Sequence, residues 1–369
     1  MSSARHLATL LDCPTAPFHE DVPLQRVLQF AQDRGLPASR DAWGNVSVAW
    51  DGHGARMEGP PLALVAGLDH PGGEVLAVAG DTAEVAWHGE VLAEYLSGAW
   101  LRIHGRQGSV AAEVTSIVTR PGALGDVPDR LLVESGDRVQ VGDIVTLDLP
   151  ALAQEGSEIR ARGALAPIGA AALLDLLERL TALRVACVVQ CFFTRGSSVG
   201  FAGTQGLLER GLLMPGQTVI AVHGVGVQPG AMPGAGPVLR LGDACSLFDA
   251  DVVRVLDRAA VRFRENFPEA GLQRAVLPHG ASDAGLLALQ QRRVAALCVP
   301  IQNPLNMGPR GVPEPESFHL QDYLSLVDLL ETVAVDWDGA LRPDRLRTES
   351  RQWLTRTTTP SLVRLGMQR

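Results

Sequence analysis

Two adjacent serines, a histidine and an aspartate are the residues of this chain whose types could support nucleophilic chemistry. Ser197 and Ser198 lie in a Gly/Ser-rich loop that follows residues 185–193, an apolar run typical of a strand buried on both faces. Asp69 and His223 each follow another apolar stretch. A serine nucleophile needs a base within hydrogen-bond reach, and no nucleophile-elbow pattern surrounds these serines. A metal-independent Ser/His hydrolase is one hypothesis. The simpler hypothesis is that serine occurs here because it suits the conformation of the loop.

The same loop is also the expected place for a ligand, because open α/β sheets bind ligands at the carboxyl ends of their strands. Arg195 precedes the serines and would either bind an anionic group or point to solvent. His223 is equally consistent with a binding pocket and with a hydrogen-bonded structural role. Asp69 could serve a site or accept backbone N–H groups at its strand end. Asp283 opens a helical pattern, where an N-terminal cap is the first expectation.

Composition excludes several classes of function. All 32 basic residues are arginine, so a Schiff-base lysine, a phosphate-loop lysine and a lysine general base are excluded. The net charge of −9 argues against nucleic-acid binding, and no apolar stretch is long enough to span a membrane. The N-terminus lacks an apolar signal core and the five cysteines are scattered. These features predict a cytoplasmic protein.

The pattern of apolar and polar residues changes twice along the chain. Helical and apolar-strand patterns alternate in residues 1–72 and 163–337, which predicts one discontinuous α/β domain. Residues 73–162 carry short alternating strands separated by glycine turns, which predicts an inserted small β-barrel domain. An Arg-rich C-terminal extension follows at 338–369.

Several motifs occur in the order and spacing of one known family, over about residues 5–335. They are Ala16-Pro17 with Glu20, Asp41 with Gly44-Asn45, Asp69 after an apolar strand, Val199-Gly200 with Gly203, Gly236-Pro237-Val238, and Gly280-Ala281-Ser282-Asp283. The chain thereby resembles the tetrahedral aminopeptidases, the deblocking and glutamyl-type metallopeptidases. The resemblance implies a phosphorylase/peptidase-like mixed central sheet flanked by helices, with the inserted domain serving oligomerisation.

The resemblance also implies a site with two zinc or cobalt ions, five metal ligands and a catalytic glutamate. Such ions require carboxylate or imidazole donors, and the glutamate takes a proton from the bridging water. Here these positions fall on residues that mostly cannot ligate a metal: Gly67, Ala166, Ser197 for the catalytic base, Ser198, His223, and either Leu305 or Val312. Only His223 remains as a candidate ligand, and one imidazole does not hold a zinc ion.

These observations predict an aminopeptidase-family protein that has lost its di-metal centre and requires no cofactor. The expected role is non-catalytic binding of a peptide, a small ligand or a partner chain by a homo-oligomer, a dimer or larger. The cleft is predicted to include Gly67, Asp69, Ala166, Arg195, Ser197, Ser198, His223 and Asp283. Two alternatives stay open, a metallo-aminopeptidase with relocated ligands and a Ser/His hydrolase built on Ser197 or Ser198, His223 and Asp69.

Overall fold

A computed structural model describes residues 4–52, 54–55, 59–136, 138–278, 280–337, 348 and 351–356. The helices are α1 (Arg5–Leu11), α2 (Asp21–Asp33), α3 (Ala93–Leu96), α4 (Pro167–Leu183), α5 (Ala202–Glu209), α6 (Ala250–Asn266), α7 (Asp283–Leu289) and α8 (Leu320–Asp336). In this part of the chain, no helix is long and apolar enough to cross a membrane.

An eight-stranded mixed sheet forms the centre of the α/β unit. Its strands are β1 (Ala38–Arg40), β2 (Val46–Asp51), β3 (Leu62–Gly67), β12 (Val188–Thr194), β13 (Thr218–Gly226), β14 (Val238–Gly242), β15 (Gln273–Val276) and β16 (Arg293–Ile301). Their spatial order is β1-β2-β12-β3-β13-β16-β14-β15. The four central strands β12, β3, β13 and β16 run parallel, and their apolar sequences match burial on both faces.

Helices cover both faces of this sheet. The large core on one face joins α1, α2, α4, α6 and α8 to the strands, and a smaller core on the other face includes α5 and α7. Two of these helices begin at a residue whose side chain caps the helix N-terminus. The Asp249 carboxylate accepts the first N–H groups of α6, and the Ser282 hydroxyl accepts the Gly285 N–H of α7.

A closed six-stranded barrel follows β3 in the chain. It consists of β4 (Gly72–Ala79), β5 (Thr82–His88), β6 (Trp100–Gly105), β7 (Gly108–Pro121), β8 (Asp126–Glu134) and β9 (Ile144–Leu147), in the order β4-β5-β8-β7-β6-β9. The barrel has its own apolar core. A small third sheet joins β10 (Leu152–Glu155) and β11 (Glu158–Ala161) to β17 (Glu316–His319).

The predicted fold class is confirmed, because a mixed sheet flanked by helices is combined with a closed barrel. The division into 1–72 with 163–337, 73–162 and 338–369 stays a prediction. Most of the C-terminal extension lies outside the described residues. The central strand begins at Val188 rather than Val185, because the Val185 N–H closes the end of α4 on the Leu180 carbonyl.

Candidate functional site at the strand ends

The loop after β12 is held by two buried carboxylates. Glu20 accepts the Gly196 N–H at 2.8 Å and binds the Arg195 guanidinium at 2.6 Å. Asp69 accepts the N–H groups of Ser197 at 2.6 Å and Ser198 at 2.8 Å. Burial, followed by the nearby Glu20 carboxylate, raises the pKa of Asp69, while the two N–H donors oppose that rise. The positive charge of Arg195 is therefore already paired.

Three of the predicted site positions lie in direct contact, at Gly67, Ala166 and Ser197. A Cβ atom placed on Gly67 would lie 2.7 Å from the Ser197 Cβ, 3.3 Å from the Ala166 Cβ, and well inside contact distance of the Ser197 Oγ. The Ser197 side chain thus occupies the space above the end of β3. Its hydroxyl is buried and has no hydrogen-bond partner among the described residues.

His223 on β13 is oriented by a buried cation. Its Nδ1 lies 2.6 Å from the Gly224 carbonyl, which fixes the proton on that nitrogen and leaves Nε2 as an acceptor. The Arg240 guanidinium faces this Nε2 at 3.4 Å, and the Cys298 Sγ lies 3.7 Å from both ring nitrogens. Burial and then the Arg240 charge lower the pKa of His223 to about 3, so the ring is neutral at physiological pH.

Arg240 belongs to a second polar network, which begins beside His223. Its Nη2 lies 3.2 Å from the Asp243 carboxylate, which also accepts the Ser282 hydroxyl at 2.7 Å. Asp283 is buried beside this network and accepts the Thr204 hydroxyl. Burial raises the pKa of Asp283 to about 6, and the charge of Asp69 adds to that rise. Asp69, Arg240 and Asp283 are thus close enough to interact electrostatically.

No hydrogen bond among the described residues joins His223 to either serine. The two nitrogens of the ring already face Gly224 and Arg240. The structure therefore brings Gly67, Ala166 and Ser197 together and ties Asp69 to the serines, but it does not pair a serine with an imidazole base. A Ser/His hydrolase lacks the contact that it requires.

The residues at the positions where the resemblance implies metal ligands do not fit two ions. Gly67 and Ala166 carry no ligand atom, and Arg240 already occupies the free lone pair of His223. Neither candidate for the last ligand position has a side chain that can bind a metal. Leu305 packs against the barrel core, and Val312 is an exposed apolar residue. A two-ion centre needs several anionic donors to offset its charge, and those donors are absent from these positions.

Comparison with solved structures shows that this fold is similar to the fold of tetrahedral peptidases. The chain matches the TET1 peptidase of Pyrococcus horikoshii at 19% identity and a TM-score of 0.72, covering 90% of this chain and 99% of that one. It matches a TET aminopeptidase of a marine sediment archaeon of the Thaumarchaeota at 16% identity and a TM-score of 0.73, covering 90% and 97%. An aminopeptidase of Desulfurococcus kamchatkensis matches at 17% identity and a TM-score of 0.70, covering 92% and 98%.

Part of the sequence also resembles one protein family. The profile of the M42 glutamyl aminopeptidases matches residues 133–305. The resemblance to the aminopeptidase family is therefore confirmed, and this chain is a divergent relative. A search of curated protein sequences finds no match.

The prediction that no cofactor is required is wrong. The matched family and its structural relatives are metal-dependent aminopeptidases. That prediction rests on the strand-end positions alone, and a sequence does not reveal which side chains the fold brings together elsewhere. One such group is His6, Asp175 and Glu178, whose potential ligand atoms all lie within 4.8 Å of one another.

Sequence reasoning missed the second polar network altogether. Arg240, Asp243 and Thr204 were not predicted as site residues, although all three are buried and take part in its hydrogen bonds. One signal was available, because Arg240 interrupts the otherwise apolar strand Val238–Gly242. A charged residue in such a strand needs a buried partner, which indicates a polar network.

Proposed function

We propose that this chain is an aminopeptidase-family protein whose strand-end cleft has lost the two-ion centre and binds a short peptide or small molecule without hydrolysing it. The observation that carries the proposal is that the residues at the implied ligand positions are already packed against or hydrogen-bonded to their neighbours. Ser197 covers Gly67, and Arg240 engages His223. No free carboxylate stands at either position to act as a general base.

The outer part of the cleft supports a binding role. Gly67, Asp69, Ser197 and Asp283 are buried and would form the floor of the proposed cleft. Ala166, Arg195, Ser198 and His223 are half-buried and would form its rim. A ligand at this rim meets a hydroxyl, a neutral imidazole and an ion-paired arginine. Such groups suit hydrogen bonding to a peptide or a small polar molecule.

The proposal also includes a homo-oligomer. The TET1 peptidase of Pyrococcus horikoshii assembles into a tetrahedron or a large octahedral shell. The barrel of the present chain supports assembly because its outer face exposes large apolar residues, namely Trp100, Val118, Leu124 and Leu132.

An activity assay paired with a binding assay tests the proposed function. Turnover of aminoacyl-p-nitroanilides is measured with added cobalt or zinc, and a panel of short peptides is screened by thermal shift. We expect no turnover above the protein-free rate, together with stabilisation by at least one peptide. The variant Ser198→Trp blocks the rim and should abolish that stabilisation. Chelator-sensitive turnover would establish a hydrolase with relocated ligands, and a panel without any shift would contradict the binding role.

A further inference from the structure

A small cavity, called here the junction cavity, lies where the α/β unit meets the barrel. Its volume is about 10 Å³, which is about the space that one water-sized particle needs. Its walls come from both units. They include Leu11 of α1, Pro71 in the segment that leads from β3 into the barrel, Thr146 of β9, and Arg162 in the segment that leads from β11 to α4.

Arg162 brings to this cavity a positive charge that no carboxylate pairs. The residue is 8% exposed, and its Nη2 donates one long hydrogen bond, of 3.4 Å, to the Cys13 carbonyl. Among the described residues no carboxylate forms an ion pair with it, and the nearby Asp148 is bound to Arg102 instead. Burial lowers the pKa of Arg162, because a buried charge is costly unless it is paired.

The surroundings of the junction cavity are positive, although the whole chain carries a net charge of −9. Burial and then the charges of Arg162 and Arg102 lower the pKa of His104 to about 4. The ring of His104 contacts a wall of the cavity, since its Nε2 lies 2.9 Å from the Thr146 Oγ1. Pro167, another wall residue, begins α4, so the positive end of that helix dipole faces the same region.

A second donor stands beside the guanidinium. Thr15 lines the junction cavity and is 7% exposed, and its hydroxyl has no hydrogen-bond partner among the described residues. The Thr146 hydroxyl is different, because it already donates to the Leu147 carbonyl and contacts His104. Arg162 and Thr15 therefore supply a positive charge, several N–H groups and one O–H group to a volume too small for an organic ligand.

We propose that Arg162 and Thr15 bind one small monatomic anion, of the chloride class, in the junction cavity. A water molecule would fit the same volume, but it would leave the guanidinium charge without compensation. A bound anion would hold together the connection between α1 and α2, which contains Thr15, and the segment that leads to α4, which contains Arg162. The expected role is to stabilise the contact between the α/β unit and the barrel.

The chloride dependence of thermal unfolding tests the site. Sodium gluconate is exchanged stepwise for sodium chloride at constant ionic strength, so that screening of surface charges stays the same. Gluconate is a large polyatomic anion that cannot enter the cavity. A ligand that binds only the folded chain raises the melting temperature as its concentration rises. We expect the melting temperature of the unmodified chain to rise with chloride and with bromide.

Three variants separate the junction cavity from the protein surface. Arg162→Met removes the charge and should abolish the chloride response. In gluconate this variant should be at least as stable as the unmodified chain, because the buried charge then has no partner. Thr15→Val removes one hydrogen bond to a charged group and should weaken the apparent chloride affinity about tenfold. Arg160→Gln is the matched control, since Arg160 is an exposed arginine on β11, and it should leave the response unchanged.

Crystals soaked in bromide give a readout that does not depend on stability. We expect one anomalous-scattering peak between the Arg162 guanidinium and the Thr15 hydroxyl. Equal melting temperatures in chloride and gluconate would show that the cavity holds only water. A response that persists in Arg162→Met or disappears in Arg160→Gln would show that chloride acts at the surface. If Arg162→Met fails to fold, Thr15→Val and the bromide peak decide the question. Peptide binding is measured separately, so failure of this site would leave the proposed function of the cleft untouched.

Discussion

At the scale of single residues, Gly67 and Ser197 are a mutually dependent pair. Gly67 pairs in register with Thr194, and the backbone of Ser197 is fixed by its bond to Asp69. These contacts oppose a shift of either chain segment that would admit a side chain at position 67. The Cβ of Ser197 lies 2.7 Å from the place where a Cβ on Gly67 would stand. Because side-chain atoms of Ser197 and Ala166 take up the space that a Cβ atom would need, glycine is required there.

A double-mutant cycle tests this dependence. Gly67→Ala should lower the free energy of unfolding by about 1–3 kcal/mol, because overpacking a well-packed core costs about that much. Ser197→Gly alone should cost about 0.5–1 kcal/mol through backbone entropy. The double variant should recover most of the first loss, with a coupling energy of about 1 kcal/mol or more between contacting sites. Unfolding free energies are measured in urea. If the losses of the two single variants simply add in the double variant, the two residues do not compete for space.

Only part of this residue-scale arrangement could be predicted from sequence. The family spacing puts Gly67, Ala166 and Ser197 at one site, and the three residues are in contact in the structure; that they form a functional site stays a prediction. The pairing of His223 with Arg240 could not be predicted, because β14 reaches β13 only through the intervening β16. Such non-local contacts depend on strand order, which local pattern does not encode.

At the scale of elements, Asp283 links two helices on the smaller-core face of the sheet. It begins α7 and accepts the hydroxyl of Thr204 on α5. Burial raises its pKa to about 6 in the folded protein, above the ordinary value of 3.8. A raised folded-state pKa means that the stability contribution is present below the unfolded pKa and is lost as the pH rises through the folded pKa.

Asp283→Asn should therefore change the pH dependence of stability in a defined direction. Asparagine still accepts the Thr204 hydrogen bond but carries no charge. Relative to this variant, the unmodified chain should be more stable at pH 4.5 than at pH 7.5 by about 1–3 kcal/mol, since each pKa unit is worth about 1.4 kcal/mol. Urea unfolding at both pH values measures the difference. An equal difference at the two pH values would show that Asp283 is ionised normally.

Sequence patterns predicted long elements better than short ones. Helices α2, α4, α6 and α8 are 13 to 17 residues long, and apolar periodicity sustained over several turns makes such helices recognisable in the sequence. The strands β1, β15 and β17 have only three or four residues. Segments this short carry too little alternation to be recognised, and their pairing partners fix their conformation.

At the scale of the whole molecule, the barrel presents apolar surface that a single copy of the chain leaves exposed. Val118 and Leu132 lie on adjacent strands β7 and β8, where Leu132 pairs with Ser116 and Val118 with Arg130. They are 59% and 43% exposed, respectively. Because paired residues share a face of the sheet, both side chains belong to one outer patch.

If this patch joins two copies of the chain, charge placed on it should separate them. The variant Val118→Glu with Leu132→Glu puts two carboxylates on each copy, and a two-fold contact brings the same patch of both copies together. Burying unpaired charge is strongly unfavourable, so we expect a shift from dimer or larger to monomer in light scattering at micromolar concentration. Val261→Glu on the exposed face of α6 is the matched control and should leave the mass unchanged. An unmodified chain that is already monomeric would contradict assembly altogether, and a double variant that keeps its mass would place the contact elsewhere than on the barrel.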